Sequence, residues 1–421
     1  MVHSLFRYTI KTLTLIFLLS TSSVSLSAVV SGLLHSRVEV ISQQAADRQE
    51  AFNRALVKTL LKISGHRDLV FNSDIQNTFF PAERYVQSFS YKENPRYIAY
   101  LEYKKQIAGV SEITKIDSST FDPVPLPYLL EVDFAAQALE AKMEKSNLPI
   151  WGNVRPEIMF WVLIESEGVR ELIGSENPSS FNDELFKLSN DYALPVAIPL
   201  SDEFDLKALN MSDLWGLFPD AIDQAKVKYA SNGNLMMRIY KSSSNTWSAN
   251  WLFSISGISY TGQLHNSSVS VITDEVMSFL SIILSKRFSI SSTDITGIQD
   301  ITLEIINVNN FKDYIDIQTF LDGLSPVKSF SLDWLEGSVM SISLALNGSP
   351  EQLQEYLGLS GKLKFISSST NEILSDPVVL VEGFSDEKQN EADLVEPIVT
   401  NRFVRIEKYK WLSTTLEPIK K

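Results

Sequence analysis

The feature that most constrains the fold is an uninterrupted apolar run at residues 158–164, with the sequence IMFWVLI. A run this short and this rich in branched and aromatic residues is typical of a strand buried on both faces. A turn rich in proline and glycine precedes it, in which Arg155 stands before Pro156. Because such a strand needs cover on both sides, the run predicts a layered α/β domain built around it.

The first 28 residues have the pattern of a secretory signal peptide. Arg7 and Lys11 form a positively charged region before a short apolar stretch at 13–19, and small residues follow as far as Ala28. The stretch is too short to span a bilayer. The chain contains no cysteine, so it lacks the residue that a lipoprotein carries at its cleavage site. We therefore predict export to the periplasm, cleavage near Ser27 or Ala28, no lipid anchor and no membrane span in the mature protein.

Composition narrows the classes of partner. The 421 residues carry a formal net charge of -14, and 44% of them are hydrophobic. An acidic surface argues against nucleic acid and against anionic membranes as partners. The hydrophobic fraction is ordinary for a globular protein, and the length suggests two to four domains.

The pattern of elements predicts a multidomain chain of α+β and α/β class, in which helices cover mixed sheets. A proline-rich stretch at 118–127 and a polar stretch at 291–296 suggest internal boundaries. The predicted segments are a signal peptide (1–28), an N-terminal α+β domain (29–117), a central α/β mixed-sheet domain (118–290), a ferredoxin-like βαββαβ domain (297–367) and a partly disordered C-terminal tail (368–421).

Periodicity places the elements of the first two domains. Helical spacing of apolar residues predicts a core-packing helix at 42–64, with Ser42 as its N-cap and Gly65 just beyond its end. Further helices are predicted at 69–80, 135–146, 181–192, 221–229 and 270–287. Alternating or wholly apolar runs predict strands at 29–40, 85–92, 97–105, 128–134, 158–164, 195–200, 235–240, 246–256 and 257–264.

The third domain has the order βαββαβ of the ferredoxin-like fold. In its two middle strands, large apolar residues alternate with small or polar ones. We therefore expect one face to pack on the helices, formed by Phe330, Leu332, Trp334, Met340, Ile342, Leu344 and Leu346. The opposite face, with Ser331 and Ser343, is then either a docking surface or ordinary solvated surface. Residues 402–411 alternate basic with apolar residues and fit either an edge strand or an ordered tail.

Asp202, Glu203 and Asp205 form the best carboxylate cluster. They follow the predicted strand at 195–200, where α/β sheets place their ligands. One interpretation is a site for a hard cation such as Mg²⁺ or Ca²⁺. The other is that they cap the next turn or helix.

Tryptophan and arginine supply the other candidates. The tryptophans, with Trp151 and Trp215 among them, could form a carbohydrate platform or could pack in cores. Arg155 is the charged residue that we expect to be fixed, by a carboxylate such as Asp202. The mature histidines, His35, His66 and His265, stand in no metal-binding or nucleophile motif. No catalytic, cofactor-binding or metal-ligating residue is therefore predicted.

Three blocks resemble a family of uncharacterised exported proteobacterial proteins that is known only as a domain of unknown function. They are ALVKTLLKISG at 55–65, LPIWGNVRPEIMFWVLIE at 148–165 and LPVAIPLSDEFDLKALNMSDLWGLF at 194–218. The resemblance extends over about residues 29–288. It implies a periplasmic location and no particular activity.

These observations favour a periplasmic protein of binding or scaffolding type, with other envelope proteins as partners and no cofactor. One alternative is a metal-dependent hydrolase that uses Asp202 and Asp205. Another is a structural envelope component without a specific partner. The residues expected to matter for interaction or structure are Trp151, Arg155, Asp202, Asp205 and Trp215.

Overall fold

The structure is a computed structural model that describes residues 28–107, 123–229, 231–242, 246–290, 300–359, 361–374 and 401–412. The chain forms two compact units, one of residues up to 292 with 359–361, the other of 293–358 with 362–421. Helices and mixed sheets occur together, which confirms an α+β fold. The division near residue 292 lies in the polar stretch at 291–296. The predicted N-terminal and central domains both belong to the first unit. The predicted signal peptide lies outside the described residues except for its last residue, Ala28.

The N-terminal part of the first unit is a small antiparallel sheet with a long helix against it. Its elements are β1 (Ala28–Val29), β2 (His35–Val40), α1 (Ala45–Ser64), α2 (Arg67–Val70), α3 (Ser73–Phe79), β3 (Val86–Glu93), α4 (Pro95–Ile107), β4 (Tyr128–Phe134) and α5 (Ala136–Lys145). The sheet order is β2-β4-β3. The middle strand, β4, therefore belongs to this sheet, although the predicted boundary at residue 117 separates it from β2 and β3. Pairing across so long a connection leaves no local mark in the sequence.

Two local predictions in this region are wrong. Ser42 is not the N-cap of α1, because the helix begins at Ala45 with Gln44 in the capping position. Residues 97–105 lie in the helix α4, not in a strand. The Oδ1 atom of Asn94 accepts a hydrogen bond from the N–H of Arg96 at 3.1 Å, and Pro95 takes the first helical position, where its missing N–H costs nothing.

The central part of the first unit contains the predicted buried strand. Its elements are β5 (Val154–Arg155), β6 (Ile158–Ser166), β7 (Val169–Leu172), α6 (Ser180–Tyr192), β8 (Val196–Ala197), α7 (Glu203–Ala208), α8 (Met211–Gly216), β9 (Gly233–Lys241), β10 (Trp247–Ile255), β11 (Ile258–Asn266) and α9 (Val269–Phe288). The sheet order is β11-β10-β9-β6-β7, with β8 also paired to β6. Strand β6 is parallel to β9 and β8 and antiparallel to β7.

Cover on both faces explains the composition of β6, whose first six residues are buried. Met159, Trp161 and Leu163 belong to a core cluster with residues of α8 and of the 3-10 turns Pro219–Ile222 and Ala225–Lys228. Side chains alternate along a strand, so Phe160 and Val162 face the opposite side. The predicted mid-sheet strand is therefore confirmed. Residues 221–229 form short 3-10 turns in place of the predicted helix.

The strand predicted at 195–200 is only two residues long. Just Val196 and Ala197 pair with β6. Prolines at 195 and 199 have no N–H to donate to a sheet ladder, which limits the pairing to the residues between them.

The second unit is a five-stranded sheet. Its elements are β12 (Asp300–Ile306), α10 (Phe311–Asp322), β13 (Val327–Glu336), β14 (Val339–Leu346), α11 (Pro350–Leu359), β15 (Leu363–Leu374) and β16 (Asn401–Trp411). The order is β13-β14-β12-β16-β15. The predicted succession βαββαβ is present, but the ferredoxin-like module is not confirmed, because β16 lies between the first and last strands. Residues 402–411 are therefore an interior strand, neither an edge strand nor a tail.

A bulge changes the predicted faces of β13. In β14, the large residues Met340, Ile342, Leu344 and Leu346 are buried as expected. In β13, the register shifts between Leu332 and Trp334, so that Trp334 pairs with Ser341 rather than with a core residue. The indole of Trp334 therefore lies on the face opposite to the predicted one and is 44% exposed.

Candidate functional site

The five residues singled out from the sequence lie at two places in the first unit. Trp151 and Arg155 lie together beside the C-terminal ends of α1 and α6. Asp202, Asp205 and Trp215 belong to the short segments around α7 and α8, on one face of the central sheet. A third place, which the sequence did not indicate, is a cleft beside the N-terminal sheet.

The guanidinium of Arg155 is fully buried and donates to five main-chain carbonyl oxygens. The acceptors are Gly152 at 2.9 Å, Tyr192 at 3.3 Å, Ala193 at 3.0 Å, Lys62 at 2.6 Å and Trp151 at 2.9 Å. The last carbonyls of a helix have no partner within it and carry partial negative charge. One cation therefore stabilises the C-terminal ends of both α1 and α6. Arg155 is therefore held in place, as the sequence predicted. The carboxylate of Asp202, which was expected to hold it, pairs with Lys228 instead.

Each of the last three carbonyl oxygens of α1 accepts a hydrogen bond from outside the helix. The oxygen of Lys62 accepts from Arg155, that of Ile63 accepts from the N–H of Trp151 at 2.7 Å, and that of Ser64 accepts from the Ser285 hydroxyl at 2.5 Å. Gly65 follows with φ of 67° and returns its N–H to Leu61. The predicted Gly65 helix end is confirmed. This network fixes Trp151, whose ring lies 4.1 Å from the guanidinium carbon of Arg155.

The carboxylates of Asp202 and Asp205 are bridged by an ammonium group of the protein itself. Lys228 lies 2.6 Å from Asp202 and 3.3 Å from Asp205. Asp202 also caps α7 by accepting from the N–H of Asp205 at 3.0 Å. Asp205 is fully buried and accepts from the Tyr229 hydroxyl at 2.5 Å and from the N–H of Ser201 at 3.0 Å. The arrangement is that of a structural cap, which is the second of the two interpretations.

The pKa directions agree with that role. The hydrogen bond from Lys228 lowers the pKa of Asp202, and the bond to Asp205 contributes to the same direction. Burial raises the pKa of the Tyr229 hydroxyl, and its hydrogen bond to Asp205 raises it further. No cluster of three or more potential metal ligands occurs among the residues that the structure describes.

The tryptophans of the first unit pack mainly in its core. Trp151 and Trp161 are fully buried, and the Nε1 atom of Trp161 donates to Asn234 at 3.0 Å. Trp215 is half-buried, and the guanidinium of Arg170 lies 4.0 Å from its ring centre. These positions match the interpretation as core residues and not the carbohydrate platform.

The cleft has a volume of about 680 Å³ and is lined by short segments that are distant in sequence. The lining residues are Val30, Ser31, Gly32, Leu33, Leu34, His35, Ile63, Gln87, Asp133, Phe134, Glu140, Ile150, Trp151, Gly152 and Asn153. We call residues 28–32 the N-terminal strap. Three of them, Val30, Ser31 and Gly32, line both this cleft and a second cleft of about 310 Å³, which Lys62 also lines. The strap is held by the pairing of β1 with β5 and by a 2.8 Å bond from the N–H of Val30 to the carbonyl of Asn153.

Strand register brings the polar residues of the cleft together. Asp133 on β4 is the direct neighbour of His35 on β2 and of Ser88 on β3. Its Oδ1 atom lies 2.8 Å from Nδ1 of His35, and its Oδ2 atom accepts from Ser88 at 2.9 Å. A bulge in β3 between Val86 and Ser88 places Gln87 at the cleft. This group could not be predicted from local sequence patterns, because 98 residues separate His35 from Asp133.

The two carboxylates of the cleft have opposite pKa shifts. The hydrogen bond with His35, and then that with Ser88, lowers the pKa of Asp133. Burial raises the pKa of Glu140, and the neighbouring charge of Glu144 adds to the effect. Asp133 is thus held as a paired anion. For Glu140, the structure gives no hydrogen bond or ion pair within the described residues.

Comparison with known proteins places the cleft in a recognised domain. Residues 27–152 match the family model described as "Domain of unknown function (DUF8605)". No curated protein matches the chain. The expected resemblance to a domain of unknown function is therefore confirmed over this stretch, but an exported proteobacterial family is not shown. Most of the second block and the whole of the third lie beyond the match. Every lining residue of the cleft except Asn153 falls within the match.

Proposed function

We propose that the chain is an exported periplasmic protein of binding or scaffolding type, and that the N-terminal cleft is its binding site. The observation that carries the proposal is the cleft itself. Its volume of about 680 Å³ lies within the range of roughly 300–1,000 Å³ that is usual for ligand sites. Its walls come almost entirely from the stretch that one family model covers.

The periplasmic location is supported by the sequence alone, through Arg7, Lys11, the short apolar stretch and the small residues before Ala28. In the part of the chain that the structure describes, no helix is both long and apolar enough to cross a membrane. The acidic net charge favours other envelope proteins and small molecules over nucleic acid as partners.

The geometry supports the enzymatic alternative less well. A metal-dependent hydrolase would hold its cation between Asp202 and Asp205, but the ammonium of Lys228 takes that position. Asp202 is also engaged as the N-cap of α7. A structural envelope component differs from our proposal only by binding nothing specific in the cleft.

Site-specific photocrosslinking in the periplasm tests the proposal. A photoreactive amino acid replaces Gln87, an exposed residue that lines the cleft, or Ser90, an exposed residue of the same strand that does not. We expect a specific adduct from position 87 and none from position 90. Equal labelling, or labelling at neither position, would contradict a binding role for the cleft.

A further inference from the structure

Strand β11 forms an edge of the central sheet and pairs only with β10 among the described strands. The turn between them, Ser256 and Gly257, has φ values of 48° and 79°, as in a two-residue type I′ hairpin. In such a hairpin Ile255 and Ile258 exchange main-chain hydrogen bonds, and every second pair beyond them does the same. The residues between these pairs therefore direct their main-chain N–H and C=O groups away from β10. They are Ser259, Thr261, Gln263 and His265, and no described residue bonds to these outward groups.

This edge lacks the features that usually protect an exposed strand, which are charged side chains, proline and bulges. The sequence of β11, ISYTGQLHN, contains no lysine, arginine, aspartate, glutamate or proline. Its register with β10 is unbroken over nine residue pairs. The other edge strands of four or more residues in the described sheets carry charged residues, among them Arg37 in β2, Lys92 in β3, Arg170 in β7, Lys328 in β13 and Lys364 in β15. Strands β3, β13 and β15 also contain a register shift.

An apolar strip accompanies the β11 edge on the side of α9. Gly262 leaves room for the indole of Trp251, because an added Cβ would lie 2.3 Å from that ring. The ring of Phe279 on α9 lies 4.7 Å from the same indole and is 38% exposed. Tyr260 and Leu264 are half-buried on the same face of β11 as Gly262. A strand that pairs here therefore also removes apolar surface from water.

The outward groups of β11 are self-complementary about Gly262. When a second copy of the strand runs antiparallel with the two Gly262 residues opposite each other, Thr261 lies opposite Gln263 of that copy. Ser259 then lies opposite His265. All four residues with outward main-chain groups thus meet residues of the same kind, and the two strands satisfy each other's donors and acceptors. Glycine at the centre allows the closest approach of the two backbones.

Charge favours a second copy as the occupant of this edge. The chain has a formal net charge of -14, so two copies repel each other over much of their surfaces. Strand β11 contributes no carboxylate to that repulsion, and the pairing about Gly262 places no like charges opposite each other. It also places Tyr260 opposite Leu264 of the second copy, and such cross-strand contacts of large apolar side chains stabilise sheets.

We propose that the chain forms a two-fold symmetric dimer by antiparallel pairing of β11 with β11 of a second copy, centred on Gly262. A strand of nine residues is about 30 Å long, so the pairing and the apolar strip bury less than the roughly 1,600 Å² of a standard interface. The dimer is therefore weak, with a dissociation constant on the order of 10–100 µM. No residue of β11 lines the N-terminal cleft, so this inference does not depend on the proposed function.

Sedimentation velocity on the full mature chain tests the dimer over roughly 1–500 µM, a range that spans this constant. We expect a reversible change from monomer to dimer. Thr261→Lys places two like charges diagonally across the two-fold axis and should weaken the dimer about fivefold or more. Adding Gln263→Glu to the same chain creates two Lys–Glu pairs between the copies and should restore the wild-type constant. Ser331→Lys, at an exposed position of the β13 edge, is the control and should have no effect.

A chain that stays monomeric over the whole range, or a dimer that Thr261→Lys does not weaken, overturns the proposal. A dimer that Gln263→Glu fails to restore contradicts the register about Gly262. For a monomeric chain, a photoreactive amino acid at position 263 in the periplasm distinguishes the other occupants. An adduct with a different protein would replace self-pairing by strand addition from that protein, and no adduct would mean that the edge stays unpaired.

Discussion

Arg155 illustrates how main-chain carbonyl oxygens can stabilise a buried charge. Its five described hydrogen bonds end on carbonyls that two helices and a turn leave unpaired. The sequence made Arg155 conspicuous, because it stands before a proline in a tight turn. It could not identify the acceptors, because main-chain oxygens are common to every residue type.

Replacing Arg155 tests the account of the two helix ends. Arg155→Lys keeps the charge but loses the planar fork, so we expect the free energy of unfolding to fall by about 3 kcal/mol. Arg155→Met should lower it by roughly 3–5 kcal/mol, because buried carbonyls then lack partners. Urea unfolding measures both, with the exposed Arg54→Lys as the control. A midpoint for Arg155→Lys equal to that of the control would show that these bonds contribute little.

Glu140 should lower stability in the unbound protein. Its pKa is raised in the folded state, so ionisation favours the unfolded chain. The penalty is absent below the ordinary value of 4.5, where both states are protonated, and it grows as pH rises through the raised pKa. Glu140→Gln should therefore raise the melting temperature relative to wild type at pH 7 more than at pH 3.5. A difference that does not depend on pH, or one matched by Glu83→Gln, would contradict this.

At the scale of elements, the end of α1 depends on Gly65. Its φ of 67° is in the left-handed region, and an added Cβ would lie 2.7 Å from Cβ of Ser285 and 3.0 Å from the ring of Trp151. Gly168 also has a positive φ, of 80°, but has open space around it. Comparing alanine substitutions at the two glycines therefore separates the cost of backbone strain from the cost of close packing.

We expect Gly168→Ala to lower the free energy of unfolding by about 1–2 kcal/mol, the cost of a left-handed alanine. Gly65→Ala should cost at least about 1 kcal/mol more than Gly168→Ala, because overpacking adds to the strain. Chemical unfolding of the two variants measures the difference. Equal losses would mean that the region between α1 and α9 adapts to the extra methyl group.

Element order in the second unit was predictable, but strand order was not. Local periodicity identified β12 to β15 and the two helices between them. It could not reveal that β16, on the far side of residues 375–400, pairs in parallel with β12 and antiparallel with β15. The β13 bulge was also hidden, because alternation in sequence assumes an unbroken register.

The position of β16 between β12 and β15 leads to a prediction about which fragment of the second unit folds. Tyr409 and Trp411 are buried, and Nε1 of Trp411 donates to Asp313 on α10 at 3.2 Å. A fragment of residues 293–367 lacks these side chains and exposes the edge of β12. We expect it to show no cooperative thermal transition, whereas a fragment of residues 293–421 should unfold cooperatively. Cooperative unfolding of the shorter fragment would mean that β16 is dispensable.

At the scale of the whole molecule, features formed by residues close together in sequence could be predicted, whereas features assembled from distant residues could not. The buried strand β6 was found because its pattern lies within nine residues. The cleft was missed because its walls come from positions between 30 and 153 that only the fold assembles. Trp151 is the exception: it was singled out as part of a conspicuous turn and proves to line the cleft.

The last prediction connects export with the cleft. If the predicted cleavage near Ser27 or Ala28 occurs, the mature chain begins with the N-terminal strap, where Ala28 and Val29 pair with Arg155 and Val154. Amino-terminal sequencing of the periplasmic protein should therefore begin at Ala28 or Val29. A variant that keeps the signal but lacks residues 29–32 should be exported and folded, yet should lose the adduct at position 87, because one wall of the cleft is missing. An intact Met1 in the membrane fraction would contradict cleavage, and an unchanged adduct at position 87 in the shortened chain would contradict the role of the strap.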